Sequence, residues 1–428
     1  LQARRRIPLT ARDSLTYHRI DSIGEKLGLA SLFNQTWNLL ENRLAIGPVD
    51  VLLNRLMTAN RVENVRLGIG LATNEKLSRR VELNGFFGYG IRDRAMKYGG
   101  GLQIRPLGDE RLYLGGFYAR DLVESGHRRI GVRPRSGLHL DFEREYGSRT
   151  WYVDVMETII TRQVYLGARP FQRLEIRFDA RDEMVLPAYD YSFEGRDTFH
   201  FVEAVATLRW MPGAVFARQG RRRFVAVNTL PTFTLRYTRG LDTYGGEFPY
   251  QKAEFSIDQT LDWTGVLRIN YHLHGGHTDT ELPRSRWYTF RSNYARGNFA
   301  DVPNGLNTMR YNEFAAGTWA VGRISLTPRL RWLRIGRFAP QPILGMAAAW
   351  GRLDQNLNHT GDLPIAPEQG YYEGAFSLRR LFPIPKQDNL LNSYLQALYL
   401  GAFYRFGPYG FADWRENVAV RMGFSVDF

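Results

Sequence analysis

"ENVAVRMGFSVDF", residues 416–428, alternates apolar side chains with small, polar or charged ones at every step. The apolar positions are Val418, Val420, Met422, Phe424, Val426 and Phe428. A repeat of two residues is typical of a β-strand, because successive side chains of a strand point to opposite faces of the sheet. Both a soluble sheet and the last strand of a lipid-facing barrel fit this pattern.

The composition favours pleated structure. Hydrophobic residues make up 44% of the 428 residues and charged residues 23%, which excludes a disordered chain. The 23 Tyr, 26 Phe and 42 Gly suit strands, tight turns and aromatic girdles better than they suit helical bundles. The absence of Cys excludes thiol catalysis, disulfides and cysteine metal sites.

The formal net charge of +14 would suggest a nucleic-acid partner for a soluble protein. The basic residues, however, are spread singly through alternating segments. The sequence has no zinc-finger spacing, no ribonucleoprotein-type aromatic motif and no phosphate-binding glycine loop. We therefore expect no nucleic acid, and attribute the charge to a surface that bears lipopolysaccharide or to anions that pass through a lumen.

No stretch of the sequence reaches the roughly 18 apolar residues that a membrane helix needs. One of the longest apolar runs, PILGMAAAW at residues 342–350, is about half that length. The chain begins at Leu1 without an apolar signal core, so we expect a processed or trimmed product.

Residues 1–60 have a different pattern from the rest. Their apolar residues recur every three or four positions, which predicts an amphipathic helix that is broken near Gly28 and starts with a capping box of Ser22 and Glu25. We expect a helical cap on the sheet, periplasmic or plug-like; the alternative, a membrane-surface helix, would need more Lys and Arg on its polar face. The apolar residues are Ile20, Ile23, Leu27, Phe33, Trp37, Leu40 and Leu44.

From residue 61 to residue 428 the two-residue repeat takes over. It is clearest in VRLGIGLA, VELNGFFGYG, TFTLRYTR, EFSIDQTLDW and LRINYHLH. Further strands are predicted at about 95–106, 110–121, 151–163, 168–182, 198–210, 310–326, 341–353, 370–380, 397–406 and 416–428. The total is about fifteen, and because bacterial barrels favour even numbers we expect 14 or 16 strands.

The length of these strands and the charges on them decide between the two architectures. Most segments run roughly 10 to 16 residues, longer than the strands of soluble sheets and long enough to cross a tilted bilayer. One face is apolar, whereas the other carries full charges that a dry sandwich core would not tolerate unpaired. Because hydrocarbon cannot satisfy an open sheet edge, we predict an all-β fold, a transmembrane antiparallel β-barrel with an N-terminal helical segment. The predicted lumen-lining residues are Arg66, Arg236, Asp258, Arg268 and Arg323.

Aromatic residues stand near the ends of many predicted strands. Such residues form girdles where a barrel meets the two membrane interfaces, although aromatics favour strands in general. The predicted girdle residues are Tyr89, Trp210, Tyr237, Trp263, Trp319, Trp350, Tyr404 and Phe428.

Residues 60–105, NRVENVRLGIGLATNEKLSRRVELNGFFGYGIRDRAMKYGGGLQIR, resemble the opening strands of a family of large outer-membrane barrels from Bacteroidota-type bacteria. Later parts of that family resemble residues 221–241, 310–321 and 417–428. The family has no assigned biochemical activity, so the resemblance implies a barrel and carries over no catalytic residue. Members usually have an N-terminal carboxypeptidase-regulatory-like domain, which these 428 residues lack, and Asn64 stands where glycine is usual.

Two groups of residues suggest chemistry. In NYHLHGGHTDTE, residues 270–281, His272 and His274 would point into the lumen with His277 close by, which permits a transition-metal site. The alternative is a polar strand end that runs into a loop.

The second idea is a hydrolase on the outer wall of the barrel. It would need Ser256 to face lipid, but the alternation turns Ser256 inward. The carboxylates of Asp258 and Asp262 would more simply pair with arginines across strands. We therefore expect no enzyme activity and no cofactor.

Two long connections, residues 277–309 and 354–369, have turn-forming residues and no clear repeat. Loops of this length are usually functional or disordered. The aromatic residues of the first connection suggest that it plugs the lumen or docks a partner. These aromatic residues are Tyr288, Phe290, Tyr294 and Phe299.

We hypothesise an integral barrel of the bacterial outer membrane that serves as a structural or accessory subunit of an envelope complex for assembling or exporting proteins. The alternative is a passive diffusion channel that prefers anions. Expected partners are outer-membrane lipid and lipopolysaccharide, the barrel-assembly machinery and protein subunits of the complex.

The terminal strand with its final aromatic residue resembles the signal by which barrel-assembly machinery recognises its clients. The residues of this predicted assembly signal are Val420, Met422, Phe424, Val426 and Phe428. We also expect this strand to pair with the strand near Val62, because closure leaves no edge exposed.

Overall fold

The computed structural model describes residues 43–126, 150–219, 222–263, 265–279, 281–301, 305–329, 336, 338–353, 358–382 and 398–424. These residues form strands and four short 3-10 turns, at Leu53–Arg55, Thr150–Tyr152, Arg284–Arg286 and Trp414–Asn417. Within this part of the chain no helix is both long and apolar enough to cross a membrane.

The strands are, in chain order, β1 (Arg43–Ile46), β2 (Val49–Leu52), β3 (Met57–Asn60), β4 (Asn64–Thr73), β5 (Val81–Gly90), β6 (Met96–Ile104), β7 (Leu112–Glu124), β8 (Met156–Phe171), β9 (Leu174–Pro187), β10 (Tyr191–Phe193), β11 (Phe199–Trp210), β12 (Ala214–Gln219), β13 (Arg222–Asn228), β14 (Thr232–Leu241), β15 (Tyr250–Trp263), β16 (Leu267–Thr278), β17 (Tyr288–Thr289), β18 (Ser292–Tyr294), β19 (Leu306–Arg310), β20 (Ala315–Ala316), β21 (Thr318–Pro328), β22 (Gln341–Arg352), β23 (His359–Gly361), β24 (Tyr371–Arg379), β25 (Leu398–Phe406) and β26 (Val418–Phe424).

One antiparallel sheet contains 18 of these strands. Its long strands follow the chain, and each pairs with the next in the order β4 to β9, β11, β14 to β16, β21, β22 and β24 to β26. On the free side of β4, β3 pairs with its first half and β2 with its second, so the two short strands together occupy one further position. The prediction of an all-β fold with one large antiparallel sheet is confirmed.

The two-residue repeat divides this sheet into two faces. The outer face carries exposed apolar side chains on every long strand. They include Leu67, Ile69, Leu83, Phe87, Leu102, Leu114, Val164, Leu166, Phe178, Leu208, Leu235, Phe255, Leu273, Leu344, Met346, Phe376, Leu400, Val420 and Met422. The inner face carries the buried polar and charged side chains, among them Glu82, Lys97, Asp121, Arg181, Glu203, Glu254, Glu373 and Arg421.

The connections fall at two ends of the sheet, because neighbouring strands are antiparallel. The turn end has residues 74–80, 105–111, 172–173, 211–231, 264–266, 329–340 and 380–397. The loop end has residues 61–63, 91–95, 125–155, 188–198, 242–249, 279–317, 353–370 and 407–417. The two longest connections, 125–155 and 279–317, both belong to the loop end.

Closure of the sheet by the last strand is not detected among the described residues. Among the described residues, β26 pairs with β25 and makes no ladder with β1 to β4. Val426 and Phe428 lie outside the described residues.

Of the residues 1–60 that were expected to form a helical cap, only residues 43–60 are described. Residues 43–60 form β1 to β3 and a 3-10 turn, so the helical spacing that extended to Leu44 is wrong there. The reason is Gly47, whose φ of 61° makes a turn with Pro48 that pairs β1 with β2. Helix before residue 43, and a periplasmic or plug-like role for it, lie outside the described residues and stay predictions.

Two predicted strands are displaced along the chain. The expected segments 151–163 and 168–182 are β8 and β9, which turn at Gln172 and Arg173. The alternation continues through Gly167, where the side chain of Tyr113 from the neighbouring strand fills the space that a Cβ would need. The hairpin of β12 and β13 was not predicted as a separate element.

Asn64 adopts φ of 62°, in the left-handed region that glycine favours and asparagine tolerates best among other residues. The departure from the family pattern at this position is therefore conformationally conservative.

The substitution Gly70→Val tests how closely the 3-10 turn at Leu53–Arg55 packs against β4. A Cβ on Gly70 would lie 2.8 Å from Cβ and Cγ of Arg55, whose Nη1 donates to Asp121 at 2.9 Å. Gly70→Val should push Arg55 away and lower the free energy of unfolding by about 1–3 kcal/mol. The matched control is Gly85→Val on the outer face of β5, where the nearest atom is 3.4 Å away. Urea unfolding in detergent measures both; equal losses would contradict this packing.

Candidate functional site

Residues 281–316, which join β16 to β21, form the inner segment. Its described residues, 281–301 and 305–316, lie against the inner face of the sheet, and most of their side chains are buried. Of the two predictions for the long connection, lumen plug or docking surface, the structure agrees with the plug for most of it. Phe290 is buried as expected, whereas Phe299 is 65% exposed.

Strands that are far apart in the sheet contact the same inner segment. Arg286 reaches Glu203 on β11, Thr308 reaches Glu373 on β24, and Arg421 on β26 reaches back to the segment. Arg310 of the segment donates to Glu416 just before β26, and Asn312 donates to Asp154 just before β8. A flat sheet would hold these two strands about 48 Å apart, at roughly 4.8 Å for each strand. The sheet therefore curls around the inner segment.

Arg286 is the anchor at one side. Its Nε donates to Oε1 of Glu203 at 2.6 Å and its Nη2 to Oε2 of Glu183 at 2.9 Å. The guanidinium lies 3.6 Å from the ring centroid of Phe201, and Tyr250 also donates to Glu203. Burial by itself would lower the pKa of Arg286, but the two carboxylates raise it above its ordinary value, so the side chain stays charged.

A second anchor joins the segment to β24. The backbone N–H and the hydroxyl of Thr308 both donate to Oε2 of Glu373 at 2.6 Å. The hydroxyl also lies 2.6 Å from that of Tyr371. Thr308, Glu373 and Tyr371 are all buried, so water cannot replace these bonds.

Arg421 on β26 supplies a third anchor. Its guanidinium donates to three backbone oxygens of the inner segment: that of Asn298 at 2.5 Å, Asn307 at 3.0 Å and Asn293 at 3.2 Å. The neighbouring residue Met422 bonds through its backbone to Phe299 and Asp301. The last strand is thus held by the inner segment from its inner face and along its edge.

A small cap covers part of the loop end. β10 pairs with β23, and His359 packs against Tyr191 and Phe193 of β10 and against Trp287 of the inner segment. The hydroxyl of Tyr191 lies 2.9 Å from Nδ1 of His359. Burial lowers the pKa of His359, and the carboxylate of Glu281 at 2.7 Å only partly opposes this shift. The lowered pKa favours the neutral ring, which the aromatic cluster accommodates.

Trp319 departs from the predicted aromatic girdle. It is buried on the inner face and stacks on Tyr288 of the inner segment with ring centroids 4.6 Å apart. The opposite position on β16 is Gly276, which leaves room for the indole. Six other predicted girdle residues, Tyr89, Trp210, Tyr237, Trp263, Trp350 and Tyr404, are exposed.

The structure places the five predicted lumen residues on strands of the inner face, each with a partner. Arg66 donates to Glu63 and Asp121, and Arg268 donates to Asp262. Asp258 accepts from Ser256 and lies 2.6 Å from Nδ1 of His272, and Arg323 donates to the backbone oxygen of Gly305. Arg236 stands opposite Glu254 in the register.

The three candidate metal ligands do not converge. His272 and His274 share the inner face with ring centroids 6.4 Å apart, whereas His277 lies on the other face and bonds to Thr318. Over the described part of the chain no group of three or more His, Asp or Glu side chains could hold a metal ion. Ser256 stands opposite His274 in the register but donates to Asp258, so these residues do not form a Ser-His-Asp hydrogen-bond chain.

Of the predicted assembly signal, Val420 and Met422 are exposed on the outer face of β26. Phe424 ends the described part of this strand, and its side chain is outside the description. The function of this signal stays a prediction.

Removing the cation of the first anchor tests how firmly the inner segment is held. Arg286→Met leaves Glu183 and Glu203 buried with Arg181 as their remaining guanidinium partner, and should lower the free energy of unfolding by about 1–3 kcal/mol. The control is Arg310→Met, which breaks a half-exposed pair with Glu416 and should change it by about 0–1 kcal/mol. Urea unfolding and trypsin digestion of the folded protein report both effects. Equal stability of the two variants would show that Arg286 does not anchor the segment.

A family model for the C-terminal domain of a family of unknown function, DUF5686, matches residues 185–278, from the end of β9 to the end of β16. No curated protein matches the chain. Among solved structures, CdiB from Escherichia coli is 10% identical with a TM-score of 0.49, and the match covers 89% of this chain and 62% of CdiB. This chain thus spans less than two thirds of the length of CdiB.

Two further structures are similar at the same low level of identity. BamA from Haemophilus ducreyi lacking POTRA domains 1–3 is 9% identical with a TM-score of 0.48, over 86% of this chain and 68% of that one. OccK10 from Pseudomonas aeruginosa is 10% identical with a TM-score of 0.33, over 84% and 91%. The family match agrees with the expected family of unknown function over residues 185–278.

Proposed function

We propose that this chain is an integral outer-membrane protein that acts, without enzymatic activity, as a structural or accessory subunit of an envelope complex for protein assembly or export. The observation that carries the proposal is the inner segment, which is buried against the inner face and tied to it by charged and hydrogen-bonded anchors. A sheet filled in this way suits a scaffold better than an open channel.

The outer face supports a membrane location. Soluble monomers rarely expose contiguous apolar patches larger than a few hundred Å². Here apolar side chains are exposed on one long strand after another, with Trp and Tyr near the strand ends. Lipid would cover such a face, and the curled sheet keeps its charged face away from hydrocarbon.

The connections support an orientation. Bacterial outer-membrane barrels have short periplasmic turns and longer extracellular loops. The loop end holds the two longest connections and the cap of β10 and β23, so we assign it to the cell exterior and the turn end to the periplasm.

Exposed aromatic side chains at the loop end supply a surface for a protein partner. Tyr244 is 92% exposed in the connection between β14 and β15, and Trp414 is 63% exposed in the one between β25 and β26. Aromatic residues of this kind are frequent anchors of protein interfaces.

Copurification tests the complex. The protein should elute from mildly solubilised, cross-linked membranes with a reproducible partner, identified by mass spectrometry, and the double change Tyr244→Ser with Trp414→Ser should reduce that recovery several-fold. The control is Tyr89→Ser, an exposed aromatic residue on β5, which should leave recovery unchanged. A protein that always elutes alone would refute the role as a subunit.

Conductance in planar bilayers separates this scaffold from the alternative, an anion-preferring diffusion channel. The predicted lumen arginines Arg66 and Arg268 are paired with carboxylates, which weakens any anion preference. The wild-type protein should therefore be silent, Arg286→Ala should give fluctuating conductance as the inner segment loosens, and Arg310→Ala should stay silent. Steady anion-selective conductance of the wild type would support the channel instead.

A further inference from the structure

Two arginines and two tyrosines stand together on the outer face of the sheet. Tyr98 is directly opposite Arg120 on the neighbouring strand, and Tyr118 is directly opposite Arg162 on the next. The rings of Tyr98 and Tyr118 are 6.2 Å apart. All four side chains are exposed, and we call them the outer basic patch.

The two cations of the patch are close neighbours. Arg120 pairs with Ile160 in the register, so Arg162 is its diagonal neighbour on β8. Diagonal neighbours in an antiparallel pair are about 7–8 Å apart, within reach of two arginine side chains. Two like charges at that spacing repel each other unless an anion lies between them.

The neighbouring protein groups do not neutralise the patch. Asp182 on β9 accepts from Arg162 at 2.9 Å, but its other oxygen lies 2.6 Å from Nε2 of His200 on β11. The Arg162 side chain remains 68% exposed in this pair. The side chain of Arg120 makes no ion pair or hydrogen bond with another described residue. Among the described residues one carboxylate is thus shared between Arg162 and His200, and Arg120 has none.

The patch lies at the border of the apolar band. Along β7 the outward residues run from Leu114 through Gly116 and Tyr118 to Arg120 towards the loop end, and along β8 the outward residues next to Arg162 are Val164 and Leu166. The order from apolar residues through tyrosine to arginine is that of a membrane interface. Gly100 on β6 and its near neighbour Gly116 on β7 have no side chains, so the backbone is bare below the patch, next to Cγ1 of Val164, which lies 3.3 Å from the place of a Cβ on Gly116. We call this bare strip the groove.

We propose that the outer basic patch binds the phosphate of a phosphorylated glycolipid in the outer leaflet, with an acyl chain of that lipid along the groove of Gly100 and Gly116. This inference rests on the membrane location and orientation given under the proposed function. Arginine binds phosphate with two parallel N–H donors, and the two tyrosine hydroxyls, which bond to each other, leave one further donor at the same level. An acidic peptide would satisfy the charges but not the adjoining apolar groove.

The test reconstitutes the full chain in phosphatidylcholine nanodiscs that contain diphosphoryl lipid A, dephosphorylated lipid A or phosphatidylglycerol. Native mass spectrometry then counts the lipids that remain bound to the released protein. Wild type should retain diphosphoryl lipid A, and Arg120→Gln with Arg162→Gln should retain at least about tenfold less, since the variant removes both charged donors to the phosphate. The charge-matched control is Arg79→Gln with Arg80→Gln, two exposed arginines at the turn end, which should retain as much as wild type.

Each other outcome overturns the inference. Equal retention of lipid A by the patch variant and the wild type excludes the patch as the site, and an equal loss in the turn-end variant reduces the effect to net charge. Phosphatidylglycerol retained as well as lipid A, or dephosphorylated lipid A retained as well as the phosphorylated form, excludes a phosphorylated glycolipid as the specific ligand. If the proposed membrane location is wrong, the wild type will not enter nanodiscs at all, which is a different result from the loss of lipid A. The assay does not depend on the proposed role as a complex subunit.

Discussion

Pairing of charge on the inner face is the constraint on which the rest of this structure depends. An ion buried without a partner is unfavourable by several kcal/mol, so a sheet with charged residues along one face must bring opposite charges together. Arg286 achieves this with Glu183 and Glu203, and Arg405 does so with Glu313 of the inner segment. In both cases the partner of a wall residue belongs to the inner segment, so folding of the sheet and placement of the segment are one problem.

The same constraint explains the start of the sheet. Arg55 in the 3-10 turn and Arg66 on β4 share the carboxylate of Asp121 on β7, and glycines at positions 68 and 70 let the turn approach β4 closely enough for this. A side chain at either glycine would separate the turn from the strand. The alternation of charge and glycine on β4 therefore serves ion pairing as well as the pleat.

The strands could be predicted from the sequence because the two-residue repeat is a local property. Strands such as β11, β15 and β22 lie within a few residues of the segments predicted from alternation alone. The limits of β8 and β9 could not be predicted from the sequence, since the turn at Gln172 and Arg173 has no glycine and the alternation continues across Gly167. The inward position of Trp319 depends on the glycine opposite it on β16, which only the register reveals.

The candidate site was predictable in kind but not in its contacts. Alternation assigns Arg66, Arg268 and Arg323 to the charged face, yet it cannot say that a connection between β16 and β21 fills the space beside them. Nothing local distinguishes Arg286 from the other arginines of a loop, because its burial comes from strands more than eighty residues away.

The pairing argument also directs attention to the exposed cations. Where arginines of the inner face meet carboxylates, their charge is balanced within the fold and contributes little to the outside field. Arg120 on the outer face has no such carboxylate among the described residues and meets solvent or lipid. At that position an anionic lipid headgroup can neutralise its charge.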